Sequence, residues 1–220
     1  MIYYLDDKKI NINLEKLKKL GKGCQSEAYK LWYNCGTYVL KIRKNESIIE
    51  EECNILKKLN TERILLPKQL VYDENRQFIG YMMQYHKNDN KVIKISKQKF
   101  MYEIKKLMDE IKYLSDNNIV IDDWNFSNFI FDGTFRLIDS GKYRYSSIDK
   151  DKIYQHNYIV LCDFIANKLL YYMLVANTDF PQYYSSRLYQ KTKRGIIEFY
   201  QQQINDDETI YQYVKRIVKK

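Results

Sequence analysis

Apolar residues change their spacing along this chain, and the changes mark its elements. The run Leu14–Leu20 leads into Gly21-Lys22-Gly23, and Ser26–Tyr33 reads as a strand after it. Asn34-Cys35-Gly36 is a turn signal, and Thr37–Ile42, rich in β-formers, reads as the next strand. Ile48, Ile49, Glu52, Ile55, Leu56 and Leu59 then fall mostly at helical spacing, which predicts a helix with one buried stripe. Strands return at Gln69–Tyr72 and Phe78–Met83, joined by the polar turn Asp73-Glu74-Asn75.

The second half is mainly helical. Phe100, Met101, Ile104, Leu107, Met108, Ile111 and Leu114 line one face of a long amphipathic helix, with Ser96 placed to cap it. A small β insert follows. Ile119-Val120-Ile121 is apolar, and Asp132-Gly133 between Asn128–Phe131 and Phe135–Ile138 is a strong hairpin signal. Helical patterns resume over Asn157–Ala176, over Tyr183–Gln203 and from Asp207 onward. The expected fold class is α+β and bilobal. An antiparallel β lobe with one helix spans 1–86, and a mainly helical, shortened lobe spans 87–220. Such lobes build a ligand cleft where they meet.

Composition narrows the classes. With 45% hydrophobic and 30% charged residues the chain is globular rather than disordered. Seven Gly and two Pro leave no linker that would cut it into independent units. The net charge of +9 permits a nucleic-acid partner, but the lysines are scattered in short clusters and no nucleic-acid motif accompanies them. Cys24, Cys35, Cys53, Cys162, His86 and His156 have no zinc-ligand spacing. The first residues do not form a signal peptide, so reduced thiols in a cytoplasm are expected. Tyr158–Ala176 is the most apolar stretch. It carries Asp163, Asn167 and Lys168, so it reads as a core helix and no membrane is expected. Nothing in the pattern specifies an oligomeric state.

A few residues stand out chemically. Gly21 and Gly23 lie between two strands, where a bare backbone approaches a phosphate closely and offers its amides. Lys41, within Val39-Leu40-Lys41-Ile42, is a cation in a half-buried strand and needs an anion; Glu52 on the next helix is one candidate. Asp123 and Asn128 form D-x-x-x-x-N before the hairpin, and Asp139-Ser140-Gly141 follows it. Three oxygen-bearing side chains around one hairpin suit a hard cation such as magnesium.

In that order and on those elements, the set resembles the protein-kinase family over Leu20–Gly141. The resemblance implies that ATP is bound with Mg2+ or Mn2+. Gly21, Gly23 and Ala28 would contact the nucleotide. Lys41 would hold the α- and β-phosphates and pair with Glu52. Met83 would back the adenine pocket, with the Gln84-Tyr85-His86 backbone on the adenine edge. Asp123 would orient the acceptor hydroxyl and take its proton, and Asn128 and Asp139 would hold the metal.

The departures are informative too. Ser26 stands at the third glycine, and Ile121-Asp122 at the usual His-Arg, so loop phosphorylation is not expected to switch activity. Asn125 replaces a common lysine, Ser140 replaces the Phe of D-F-G, and no A-P-E follows Gly141. The resemblance is therefore closer to compact, atypical bacterial and archaeal serine/threonine kinases. The expected activity is transfer of the γ-phosphate to a hydroxyl, with a protein as acceptor. A small-molecule kinase and a catalytically weak nucleotide-binding docking module are the alternatives.

Overall fold

The computed structural model describes residues 2–87, 96–122 and 128–161. Along the chain run β1 (Ile2–Leu5), β2 (Lys8–Asn11), β3 (Lys18–Lys22), β4 (Ser26–Tyr33), β5 (Gly36–Arg43), α1 (Glu50–Lys57), β6 (Gln69–Tyr72) and β7 (Phe78–Gln84). Then come α2 (Lys97–Asp116), β8 (Ile119–Val120), β9 (Phe129–Phe131), β10 (Phe135–Leu137), β11 (Arg144–Tyr145) and a helix at 150–161. The described residues fall into two compact units. The first holds 2–86, 121–122 and 139–145; the second holds 87, 96–120, 128–138 and 146–161. The helices expected beyond 161 lie outside the described residues.

The first unit is built on a seven-stranded antiparallel sheet in the order β2-β1-β6-β7-β5-β4-β3. Its strands alternate between two faces. Leu31, Leu40 and Met82 point to one face, where they join Tyr3, Leu5, Ile12 and Val71 in a buried cluster. Ala28, Lys41 and Tyr81 are successive cross-strand partners, so they share the opposite face. The turn at Asn34-Cys35 has positive φ at both residues, 45° and 61°, the twist that a two-residue hairpin requires.

Two features differ from the sequence expectation. Leu14–Lys16 is a 3-10 turn, because the Asn13 side chain accepts the Glu15 amide at 3.0 Å and bends the chain before β3. The hairpin β1–β2 was passed over in the pattern; it closes through Asp6 at φ 49° and buries Tyr3 and Leu5. Gly80 explains how tightly β7 packs beside β5. A Cβ there would stand 1.9 Å from the Lys41 carbonyl oxygen, so no other residue fits without moving a strand.

In the second unit Ser96 caps α2 as expected, its hydroxyl accepting the Lys99 amide at 3.2 Å. Ile104, Leu107, Met108, Ile111 and Leu114 form the buried stripe of α2. The Asp-Gly hairpin forms as β9–β10, with Gly133 at φ 99° and Phe129, Phe131 and Phe135 clustered on it. Asn157 donates to Ser115 Oγ at 3.0 Å and to the Ile119 carbonyl at 2.9 Å, which ties the helix at 150–161 to α2 and β8. Among the described residues no helix is long and apolar enough to cross a membrane.

Candidate active site

Lys41 is 5% exposed, placed mid-strand with Ala28 opposite on β4 and Tyr81 opposite on β7. A buried ammonium demands an anion. Its partner is the carboxylate of Asp139, with which it forms a short, direct ion pair. The Tyr81 ring lies beneath the same ammonium, 5.8 Å from centroid to nitrogen. Asp139 adopts a left-handed backbone, φ 70° and ψ 65°, which costs a non-glycine residue about 1 kcal/mol. It opens the 3-10 turn Ser140–Lys142. Gly141 sits so close that a Cβ would lie 3.3 Å from Asp139 Oδ1.

Glu52 does not pair with Lys41. Its carboxylate accepts the Tyr145 amide of β11 at 2.8 Å. The pairing expected from the sequence is therefore replaced by two others, Lys41–Asp139 and Glu52–Tyr145, both within the first unit. Asp122, where an Arg was the usual residue, faces Arg144 at 3.7 Å, so the polarity of that position is reversed rather than lost.

The glycine-loop residues lie at the end of β3 and just beyond it. A Cβ on Gly21 would meet nothing within 4 Å, and one on Gly23 only the Ser26 carbonyl at 3.7 Å. Local packing does not require either glycine, although the Gly23 amide is already given to the Ser26 carbonyl at 3.0 Å. Lys44 restrains the loop: its ammonium donates to the Gly23 carbonyl at 2.7 Å and its amide to the Gln25 carbonyl at 2.8 Å. Glu27 gathers Lys19 at 2.8 Å, Lys44 at 3.7 Å and Lys22 at 3.9 Å. Hydrogen bonds from Lys19 and Tyr29 hold the Glu27 carboxyl down to about 2.

At the other end of the sheet face, Met83 is buried opposite Val39. Gln84 is exposed opposite Tyr38. The Tyr85 amide is already given to the Thr37 carbonyl at 3.1 Å. An adenine edge would therefore draw on the other backbone groups of Gln84–His86.

Asn128 belongs to the second unit; it is buried directly before β9, and its carbonyl accepts the Ile138 amide at 2.7 Å. Asp123 lies outside the described residues. Among the described residues no three His, Cys, Asp or Glu stand together as a complete metal cage. Asp139 offers a carboxylate oxygen of the kind magnesium takes alongside phosphates and water.

The sequence reading missed Tyr81. It is fully buried, and burial, aided by the Asp139 charge, pushes its phenol well above the ordinary value. Ser140, also buried, is among its neighbours. A large ring on β7 thus lies beside the small residue that stands at the D-F-G phenylalanine. The signal available in the sequence was the strand register that sets Tyr81 opposite Lys41. Cys53 is buried on α1, and burial raises its thiol to about 12, which makes it inert.

The fold, a mixed α+β architecture with a large antiparallel sheet, is of the protein-kinase-like class. Among solved structures the chain is similar to Rad53 1–466 in complex with AMP-PNP, with a TM-score of 0.54 and 16% identity. The match covers 91% of this chain and 58% of that one. Comparison with protein-family models gives no match, nor does comparison with curated proteins.

Proposed function

We propose that this protein is an ATP- and magnesium-dependent phosphotransferase of the compact, atypical serine/threonine-kinase kind. The observation that carries the reading is Lys41. It is a buried ammonium on the sheet face shared with Ala28 and Met83, and its partner is a carboxylate held on a left-handed backbone. In a purely structural pair a relaxed backbone would serve as well.

In this reading the Gly21 and Gly23 backbones cover the phosphates, and Lys41 orients the α- and β-phosphates. Asn128 and Asp139 would hold the magnesium, which would supply charge neutralisation to the phosphates. Asp123 orients the acceptor hydroxyl and takes its proton as the oxygen bonds to the γ-phosphorus and ADP leaves. Catalysis rests on positioning and charge, so these few groups suffice. Protein hydroxyls are the favoured acceptors.

One observation favours a second reading, a nucleotide-binding module without turnover: Glu52 is engaged by the Tyr145 amide rather than by Lys41. Transfer of labelled γ-phosphate from ATP with magnesium separates the two. The acceptors are the protein itself and a generic basic protein, and Asp123→Asn is the control. The kinase reading expects incorporation that the variant loses. A wild type that binds ATP yet transfers nothing to either acceptor would leave a small-molecule acceptor or the module.

A further inference from the structure

We propose that Lys18, Lys30, Trp32 and Tyr85 form a binding site for single-stranded nucleic acid on the β3–β4 end of the sheet. Residues 16–44 hold eight Lys and Arg against one acid, Glu27. The two faces of β3–β4 use that charge differently. On one face Glu27 collects Lys19, Lys22 and Lys44. On the other, Lys18 stands directly opposite Lys30, and neither has a carboxylate within ion-pair distance among the described residues. Like charges opposed across an antiparallel pair destabilise it until an anion arrives.

Trp32 lies two residues beyond Lys30 on the same strand, so it shares that face, about 7 Å along. It is 70% exposed, and its indole has no ring or hydrogen-bond partner among the described residues. The Lys30 ammonium rests over the Tyr85 ring at 4.4 Å, which orders it without neutralising it. A bare indole beside two uncompensated ammoniums matches a ligand that repeats flat rings and phosphates. An acidic peptide would satisfy the lysines and leave the indole in water. A duplex would hide its base faces from the indole, so the strand is single. The site does not depend on phosphotransfer at Lys41.

The test uses the full chain and a fluorescent single-stranded RNA of about 12 nucleotides, within the span such proteins cover. Anisotropy is read across a salt series, with poly-glutamate as competitor. Trp32→Ala should weaken binding about tenfold, the scale of one lost stacked base, while Trp32→Phe keeps most of it. Lys18→Gln with Lys30→Gln should flatten the log–log salt slope by about 1.4, roughly 0.7 for each lysine. All three substituted positions are at the surface, and circular dichroism checks that each variant folds. The proposal is overturned by a chain that does not bind the RNA at low salt. It is equally overturned if Trp32→Ala binds like the wild type, or if poly-glutamate displaces the RNA at equal charge.

Discussion

Lys41 in the sheet and Glu103 on α2 are both buried charges, 5% and 1% exposed, and they are satisfied in opposite ways. Glu103 accepts from the Lys99 ammonium one turn away at 2.5 Å and from the Phe135 amide of β10 at 3.3 Å. Its partners sit on a regular helix and a regular strand, so it works as a strut between them. Lys41 relies on Asp139, whose backbone is left-handed and whose side chain is about a third exposed. A charge with relaxed partners belongs to the architecture. A charge whose partner is strained and open to solvent is held ready for something else. Burial alone does not tell the two apart; the partner's backbone does.

Substitutions sharpen that contrast. The largest effect is expected from Lys41→Met. Phosphate transfer should fall by at least about 100-fold, the scale of losing one charge-stabilising group. Urea unfolding should shift by less than about 1 kcal/mol, because Met fits the space and Asp139 can take water. Equal losses of stability and activity would erase the distinction. Glu103→Ala should do the reverse. It strands the buried Phe135 amide and costs about 1–3 kcal/mol of stability, while the folded fraction turns over normally.

A smaller effect separates backbone from chemistry at Asp139. Asp139→Gly and Asp139→Asn both strand the buried Lys41 ammonium and should lose stability, Asp139→Gly by about 1 kcal/mol less because it relieves the left-handed backbone. Both should lose magnesium-dependent nucleotide binding in calorimetry. A variant that keeps its magnesium dependence would remove Asp139 from the metal site.

The smallest effect is electrostatic and exposed. Glu27 is depressed to about 2, so its pairing stabilises the fold above its ordinary value near 4.5 and is lost as pH falls through about 2. Lys19→Met should move the Glu27 titration, followed by carboxyl NMR, back toward the ordinary value. An unmoved midpoint would reassign the cause.

The local signals in the sequence were reliable where chemistry is local. Asp132-Gly133 specified a hairpin, Ser96 a cap, and the β-formers of Thr37–Ile42 a strand. The reading faltered where the partner is distant or is backbone. Glu52 was expected to meet Lys41, yet its partner is an amide 93 residues away that carries no side-chain signature. Tyr81 looked like one more apolar strand position until register set it beneath Lys41. The β1–β2 hairpin depends on Asp6 in a positive-φ turn, a conformation that short polar residues enter without the glycine that usually announces it.

Among the described residues the sheet of the first unit ends at β2 and β3, and both carry lysines: Lys8 and Lys9 on one, Lys18, Lys19 and Lys22 on the other. An unpaired border is a template for a strand from another copy, and a row of ammoniums keeps copies apart. Acetylating the lysines would remove the repulsion and invite sheet-to-sheet growth, whereas methylation would preserve it.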